Sequence, residues 1–129
     1  MAKLTPEMKE FIGNLKSCVV ATADKNGMPN ASFKGSLRVL DDEHLIFADI
    51  FSAKTRKNLQ ENNKICICVV DHKKMVGFQF KGEAELLDSG EVYDGVCAAI
   101  AGMNLNLPKP VYVVKTYITE IYPAPAARK

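Results

Sequence analysis

His44-Leu45-Ile46-Phe47-Ala48-Asp49-Ile50-Phe51-Ser52-Ala53-Lys54-Thr55-Arg56-Lys57-Asn58-Leu59 changes period part-way along. The apolar run Leu45 to Ala48 reads as a strand over 44–49, and the segment from Ser52 reads as the first turns of a helix. Ser52 stands where an N-cap belongs, with a hydroxyl able to accept a bond from an orphan first-turn amide. Those amides and the helix dipole favour an anion. Lys54, Thr55, Arg56 and Lys57 add three cations and a hydroxyl donor, the chemistry that suits a phosphate monoester. Leu59 is the only large apolar residue between Ala53 and Asn63, so core packing alone gives this helix little support. The competing reading is a solvated basic helix.

Outward from this segment the periods are clear. Thr5-Pro6-Glu7 is a helix start, and Met8, Phe11, Ile12 and Leu15 repeat at helical spacing to about Lys16. Cys18 to Thr22 reads as a buried strand, and Asp24-Lys25-Asn26-Gly27 as a turn. Ala31 to Leu40 reads as one long strand ending at Asp41-Asp42. Beyond the basic helix, Lys64–Asp71 and Val76–Leu87 read as strands joined at Asp71-His72-Lys73-Lys74. Ser89 and Gly90 open a second long helix whose stripe is Val92, Val96, Ala99, Ile100 and Met103, ended by Leu107-Pro108-Lys109-Pro110. Val111 to Tyr122 is the last strand, and the tail 123–129 reads as extended. Helix, three strands, helix, two strands, helix, strand, with short turns, predicts a mainly β (α+β) chain. Its six antiparallel strands form a small barrel with about three flanking helices. With no repeats and no linker, residues 1–129 are expected to form one domain.

Composition excludes more than it assigns. Seventeen basic against fifteen acidic residues leave a net charge of +2, too little for a broad nucleic-acid face but compatible with one local basic pocket. No apolar run approaches the ~20 residues of a membrane span, and the start Met1-Ala2-Lys3-Leu4-Thr5-Pro6 lacks a signal-peptide apolar region. A cytoplasmic protein with reduced thiols is therefore expected. Cys66 and Cys68 share one strand face, while Cys18 and Cys97 lie in unrelated apolar contexts. His44 and His72 offer no ligand spacing, so the thiols read as structural and no metal site is expected. Glycine-rich phosphate loops and a nucleophile elbow are missing. Asp41-Asp42 and the Glu83/Glu85 pair occupy turn and outward strand positions. No catalytic residue can be named, and any demanding chemistry would come from a cofactor.

Taken in order, these pieces resemble the FMN-binding split β-barrel family, which includes pyridoxamine 5′-phosphate oxidase and small flavin-binding proteins. The resemblance spans the whole chain. It rests on Ala21-Thr22-Ala23 leading into Asp24-Lys25-Asn26-Gly27-Met28-Pro29, then Asn30-Ala31-Ser32-Phe33-Lys34-Gly35-Ser36, then Leu45 to Leu59, then Gly77-Phe78-Gln79-Phe80-Lys81-Gly82-Glu83-Ala84. It implies a split barrel and a homodimer with two FMN sites at the subunit interface. Ser32, Lys34, Lys54 and Thr55 would hold the flavin phosphate, and backbone at Phe47, Ala48, Asp49, Ile50 and Phe51 would line the ring. Asn58 would cap the site or hold the helix, and Gln79 or Lys81 would come from the other subunit. Strand periodicity agrees in part, since it places Ser32, Lys34 and Ser36 on one face, opposite Phe33 and Leu37.

Relatives that oxidise pyridoxamine phosphate carry extra basic and histidine residues near the C-terminus for a second phosphate. Here Tyr117-Ile118-Thr119-Glu120-Ile121-Tyr122 runs into Pro-Ala repeats, with Arg128 and Lys129 the only cations beyond them. That particular activity is therefore not expected. The leading expectation is a redox flavoprotein with a small-molecule or protein partner. The alternatives are a non-catalytic FMN carrier, an F420-dependent reductase, or a barrel that binds no flavin and acts only through protein contacts.

Overall fold

The computed structural model describes residues 2–124; the tail beyond Ala124, read above as extended, lies outside the described residues. Helix α1 (Pro6–Leu15) begins as its sequence requires, with Thr5 Oγ1 accepting from the Met8 amide at 3.2 Å and proline in the first turn. It ends at Lys16, in the left-handed region at φ 58°. Strands β1 (Cys18–Ala23) and β2 (Pro29–Lys34) form a hairpin. Asp24 Oδ1 accepts from the amides of Asn26 (2.8 Å) and Met28 (3.0 Å), and Gly27 takes the positive φ the turn needs. Then come β3 (Arg38–Asp41), β4 (His44–Asp49), α2 (Ala53–Glu61), β5 (Lys64–Asp71), β6 (Val76–Leu87), α3 (Glu91–Gly102) and β7 (Tyr112–Pro123).

The class is as the sequence suggests, but the strands number seven among the described residues. The run from Ala31 to Leu40 divides at Gly35-Ser36-Leu37 because the sheet order is β2-β1-β5-β6-β7-β4-β3. Its two edge strands are therefore neighbours in sequence, and three residues carry the chain from one edge to the other. Ser36 Oγ accepts from the Ala48 amide at 2.9 Å, the Leu37 amide donates to the Lys16 carbonyl at 3.2 Å, and Leu37 is buried. Covalent continuity and these two bonds, rather than a strand ladder, close the barrel at this seam. Period-2 alternation runs through the break, which is why the sequence shows none.

Val20, Leu45, Phe47, Ile67, Phe80 and Ile118 fill the barrel, and Ile12 of α1 plugs it. Outside, Tyr93, Val96 and Ile100 of α3 pack on Ile46, Ala48 and Val113. Strand β4 is thus buried on both faces, which explains its unbroken apolar run. At the bulge between Lys81 and Gly82, strand β6 presses against β7 so closely that a Cβ on Gly82 would lie 1.8 Å from the Tyr117 carbonyl oxygen. Gly82→Ala should therefore lower stability by about 1–3 kcal/mol through forced backbone displacement, measurable as a drop in the denaturant midpoint. An unchanged midpoint would show that the two strands do not meet this closely.

Candidate phosphate cradle and ring cavity

Helix α2 packs against β1 and β2, so its first turn meets the face of β2 that carries Ser32 and Lys34. Ser32 Oγ lies 3.1 Å from Thr55 Oγ1, and the half-buried Lys34 donates to Ser52 Oγ. Ser52 heads the helix at φ −127° and ψ 46° but makes no side-chain cap bond. The N-cap bond suggested by sequence does not form, because the hydroxyl faces Lys34. The amides of Ala53, Lys54 and Thr55 precede the first intrahelical bond, from the Arg56 amide to the Ser52 carbonyl at 2.8 Å. Ammonium, hydroxyls and first-turn amides thus converge. Lys54 stands exposed at the rim.

Burial pushes the Lys34 ammonium below the ordinary lysine value of 10.5, only partly opposed by Asp49 and Cys18. The neighbouring Cys18 thiol is itself pushed up to about 12 by burial, so it offers Lys34 no standing negative partner at neutral pH. A positive charge short of counter-charge is what an incoming dianion would relieve.

Arg56 behaves differently from the sequence expectation. Its Nε donates to Asp49 Oδ2 at 2.7 Å and its Nη2 to Oδ1 at 3.2 Å, and that bond holds the guanidinium above its usual value. Asp49 is 2% exposed, so Arg56 neutralises a buried carboxylate rather than serving the cradle. Lys57 is exposed. The triplet of cations reduces at the site to Lys54, with Lys34 arriving from β2. Helix α2 also has more core face than its sequence promises, because Thr55 and Asn58 are buried alongside Leu59. Asn58 donates through Nδ2 to Thr22 Oγ1 at 3.0 Å and holds the helix to β1, while its Oδ1 finds no partner.

Beside the cradle lies a cavity of about 310 Å³, bordered by Lys34, Ser52, Ala48, Ile50 and Phe51. Phe47 does not border it: its side chain fills the barrel core, and Asp49 turns to Arg56. The far wall is Met103, Leu105 and Leu107 of the α3–β7 connection. Sequence reasoning placed Met103 on a helix stripe and assigned the others no site role; the alternation Met103-Asn104-Leu105-Asn106-Leu107 was the available signal. Gln79 is elsewhere. Cross-strand partners run Phe33–Val19–Cys68–Gln79–Tyr122, so Gln79 shares the Phe33 face, opposite Ser32 and Lys34. A second groove, of about 420 Å³, opens on that side between Cys66, Lys81 and Glu120. The four cysteines are free thiols, and no group of histidines, cysteines and carboxylates fit for a metal occurs among the described residues. No described helix is long and apolar enough to cross a membrane.

The profile of the family described as pyridoxamine 5′-phosphate oxidase matches residues 4–121. The chain belongs to this family. An uncharacterised protein of Methanocaldococcus jannaschii is 37% identical over 125 residues, covering 95% of this chain and 81% of that one. HupZ of Group A Streptococcus shares 32% identity at a TM-score of 0.83, over 93% of each chain. An FMN-binding protein of Syntrophomonas wolfei has the same fold at 24% identity and a TM-score of 0.80, over 93% of this chain and 85% of that one. So does HutZ, the heme storage protein of Vibrio cholerae, at 20% and 0.69, over 95% and 94%.

Two substitutions separate cradle from scaffold. Arg56→Ala should cost about 1.5–3 kcal/mol of stability, the worth of a hydrogen-bonded charge, because it strands Asp49. Thermal unfolding checks this, and an unchanged midpoint would mean the pair is idle. Lys34→Met should raise the midpoint of the ligand-free protein. Since the folded chain releases this proton at lower pH than the unfolded chain, the wild-type deficit shrinks as pH rises from the lowered pKa towards 10.5. A parallel pH dependence in the two proteins would remove Lys34 as the cause.

Proposed function

We propose that the chain binds FMN, with its phosphate held by Lys34, Lys54, Thr55, Ser32 and the first-turn amides of α2. The carrying observation is the convergence of a desolvated ammonium, two hydroxyls and uncapped amides at the start of α2, beside a cavity of about 310 Å³. Family membership and an FMN-binding neighbour support the same cofactor. The residues present suit the group: a dianion supplies Lys34 with the counter-charge it lacks, and Ala48, Ile50 and Phe51 border space for the ring. Bound flavin supplies one- and two-electron redox chemistry. The chain's own part is to anchor the phosphate, bed the ring and keep water from part of it. The reading is a redox flavoprotein.

A homodimer completes the site in this reading. Gln79 and Lys81 cannot reach the cradle within one chain, because they stand on the other face of the sheet. A second copy could present them. The row Phe33, Val19, Cys68, Gln79, Tyr122 is suited to such a contact, with Phe33 70% and Val19 43% exposed. A haem reading has less support, since neither His44 nor His72 borders the cavity beside the cradle or the groove at Lys81.

The visible spectrum of the purified protein, taken before and after heat release of any ligand, tests the cofactor. A two-banded flavin spectrum with free FMN in the supernatant is expected, whereas a single deazaflavin band would replace FMN by F420. A colourless protein that takes up no added FMN would end the reading. Lys54→Ala should weaken FMN binding by about 1.5–3 kcal/mol, roughly ten- to a hundredfold in Kd, read by quenching of flavin fluorescence. Unchanged affinity in a folded variant would remove Lys54 from the cradle.

A further inference from the structure

The α3–β7 connection joins Gly102 to Tyr112 and lines the cavity beside the cradle. Within it Met103 is 49% exposed, Leu105 60% and Leu107 39%, all bordering the cavity beside the cradle. Phe51, 78% exposed, borders the same cavity. Four large, partly exposed apolar side chains therefore border one cavity, a concentration that marks a binding surface.

The wall is held in place. Asn104 and Asn106 both take left-handed backbone, at φ 55° and 58°, between the apolar residues. At the far end of the connection, the buried Tyr93 donates its hydroxyl to the Pro110 carbonyl at 2.6 Å, with Lys109 Nζ 5.4 Å above its ring. The Val111 amide then donates to the Asp49 carbonyl at 2.8 Å. Asp49 is the residue fixed by Arg56, so wall and cradle hang from the same point. Of the residues bordering the cavity, only Lys34 carries a charge, and it belongs to the phosphate cradle.

We propose that Met103, Leu105 and Leu107 form a subsite for an uncharged, flat, apolar ring compound lying against the cofactor's ring. This rests on the FMN reading and names the class of molecule the same site admits. A carboxylate or phosphate on that molecule would find no partner once Lys34 faces the cofactor. A flat neutral ring would bury its faces against methionine and leucine side chains.

The test uses FMN-loaded protein and two probes. One is a dimethyl-substituted naphthoquinone, whose blocked ring cannot add thiols. The other is its hydroxy analogue, an anion at neutral pH. Affinities are read by calorimetry without an electron donor, so turnover plays no part. The neutral probe should bind about tenfold or more tightly than the anion. Leu105→Asp and Leu107→Asp, at exposed positions that should tolerate a charge, should each weaken it by about tenfold. FMN affinity, titrated separately, should stay within about twofold in both variants. Protein that takes up FMN but prefers the anion, or keeps the neutral probe in both variants, overturns the subsite and leaves the cradle standing. Protein that takes up no FMN overturns both.

Discussion

Gly35, Ser36 and Leu37 must take the chain from one edge of a seven-stranded sheet to the other, and this short crossing organises the molecule. It forces the sheet to curl until β2 and β3 come within three residues of each other. The curl encloses the core around Phe47 and Phe80, and brings β2 to the strand that feeds α2. Ser36 also satisfies the Ala48 amide, so the crossing fixes the start of the β4–α2 loop directly. Without closure, Lys34 would lie on an edge strand facing water. With it, Lys34 is half-buried against Ser52 and its charge is costly to keep.

Electrostatics divides the basic segment into two tasks. Arg56, with a planar fork of donors, matches the buried Asp49 carboxylate in two bonds and stiffens the loop. Lysines, with compact point charges, occupy the cradle and its rim. The candidate anion site consequently has less fixed positive charge than the sequence advertises. It relies more on desolvation and on uncapped amides, both of which act most strongly on a ligand that excludes water.

The sheet has two unlike faces. The inner one carries the core and, at its mouth, the cradle. The outer one carries α3 over β4 and β7, but the described residues leave the row from Phe33 to Tyr122, apolar except for Gln79, without cover. Gln79 and Lys81 lie on that outer side. In the proposed FMN reading, a site drawing on both faces would take its residues from two copies. The α3–β7 connection is tied to the Asp49 carbonyl through the Val111 amide, so this cavity wall and the Arg56-bound loop share one support.

Much of this was legible in the chain. Thr5-Pro6, the Asp24–Gly27 turn, the alternation in β5 and the basic run from Lys54 are local signals, fixed by backbone geometry and by side chains a few residues apart. Family resemblance rested on the same local signals in order. The sequence by itself determined the element types, the antiparallel pairing of neighbours and the location of an anion-favouring helix start, because each depends on short-range periodicity and turn chemistry. Only the tertiary structure decided where the long run breaks, that Ser52 meets Lys34 instead of capping, that Arg56 belongs to Asp49, and that Met103, Leu105 and Leu107 face the cradle. Those outcomes depend on which distant groups are desolvated together, and that is set by the closure of the barrel, which no local pattern encodes.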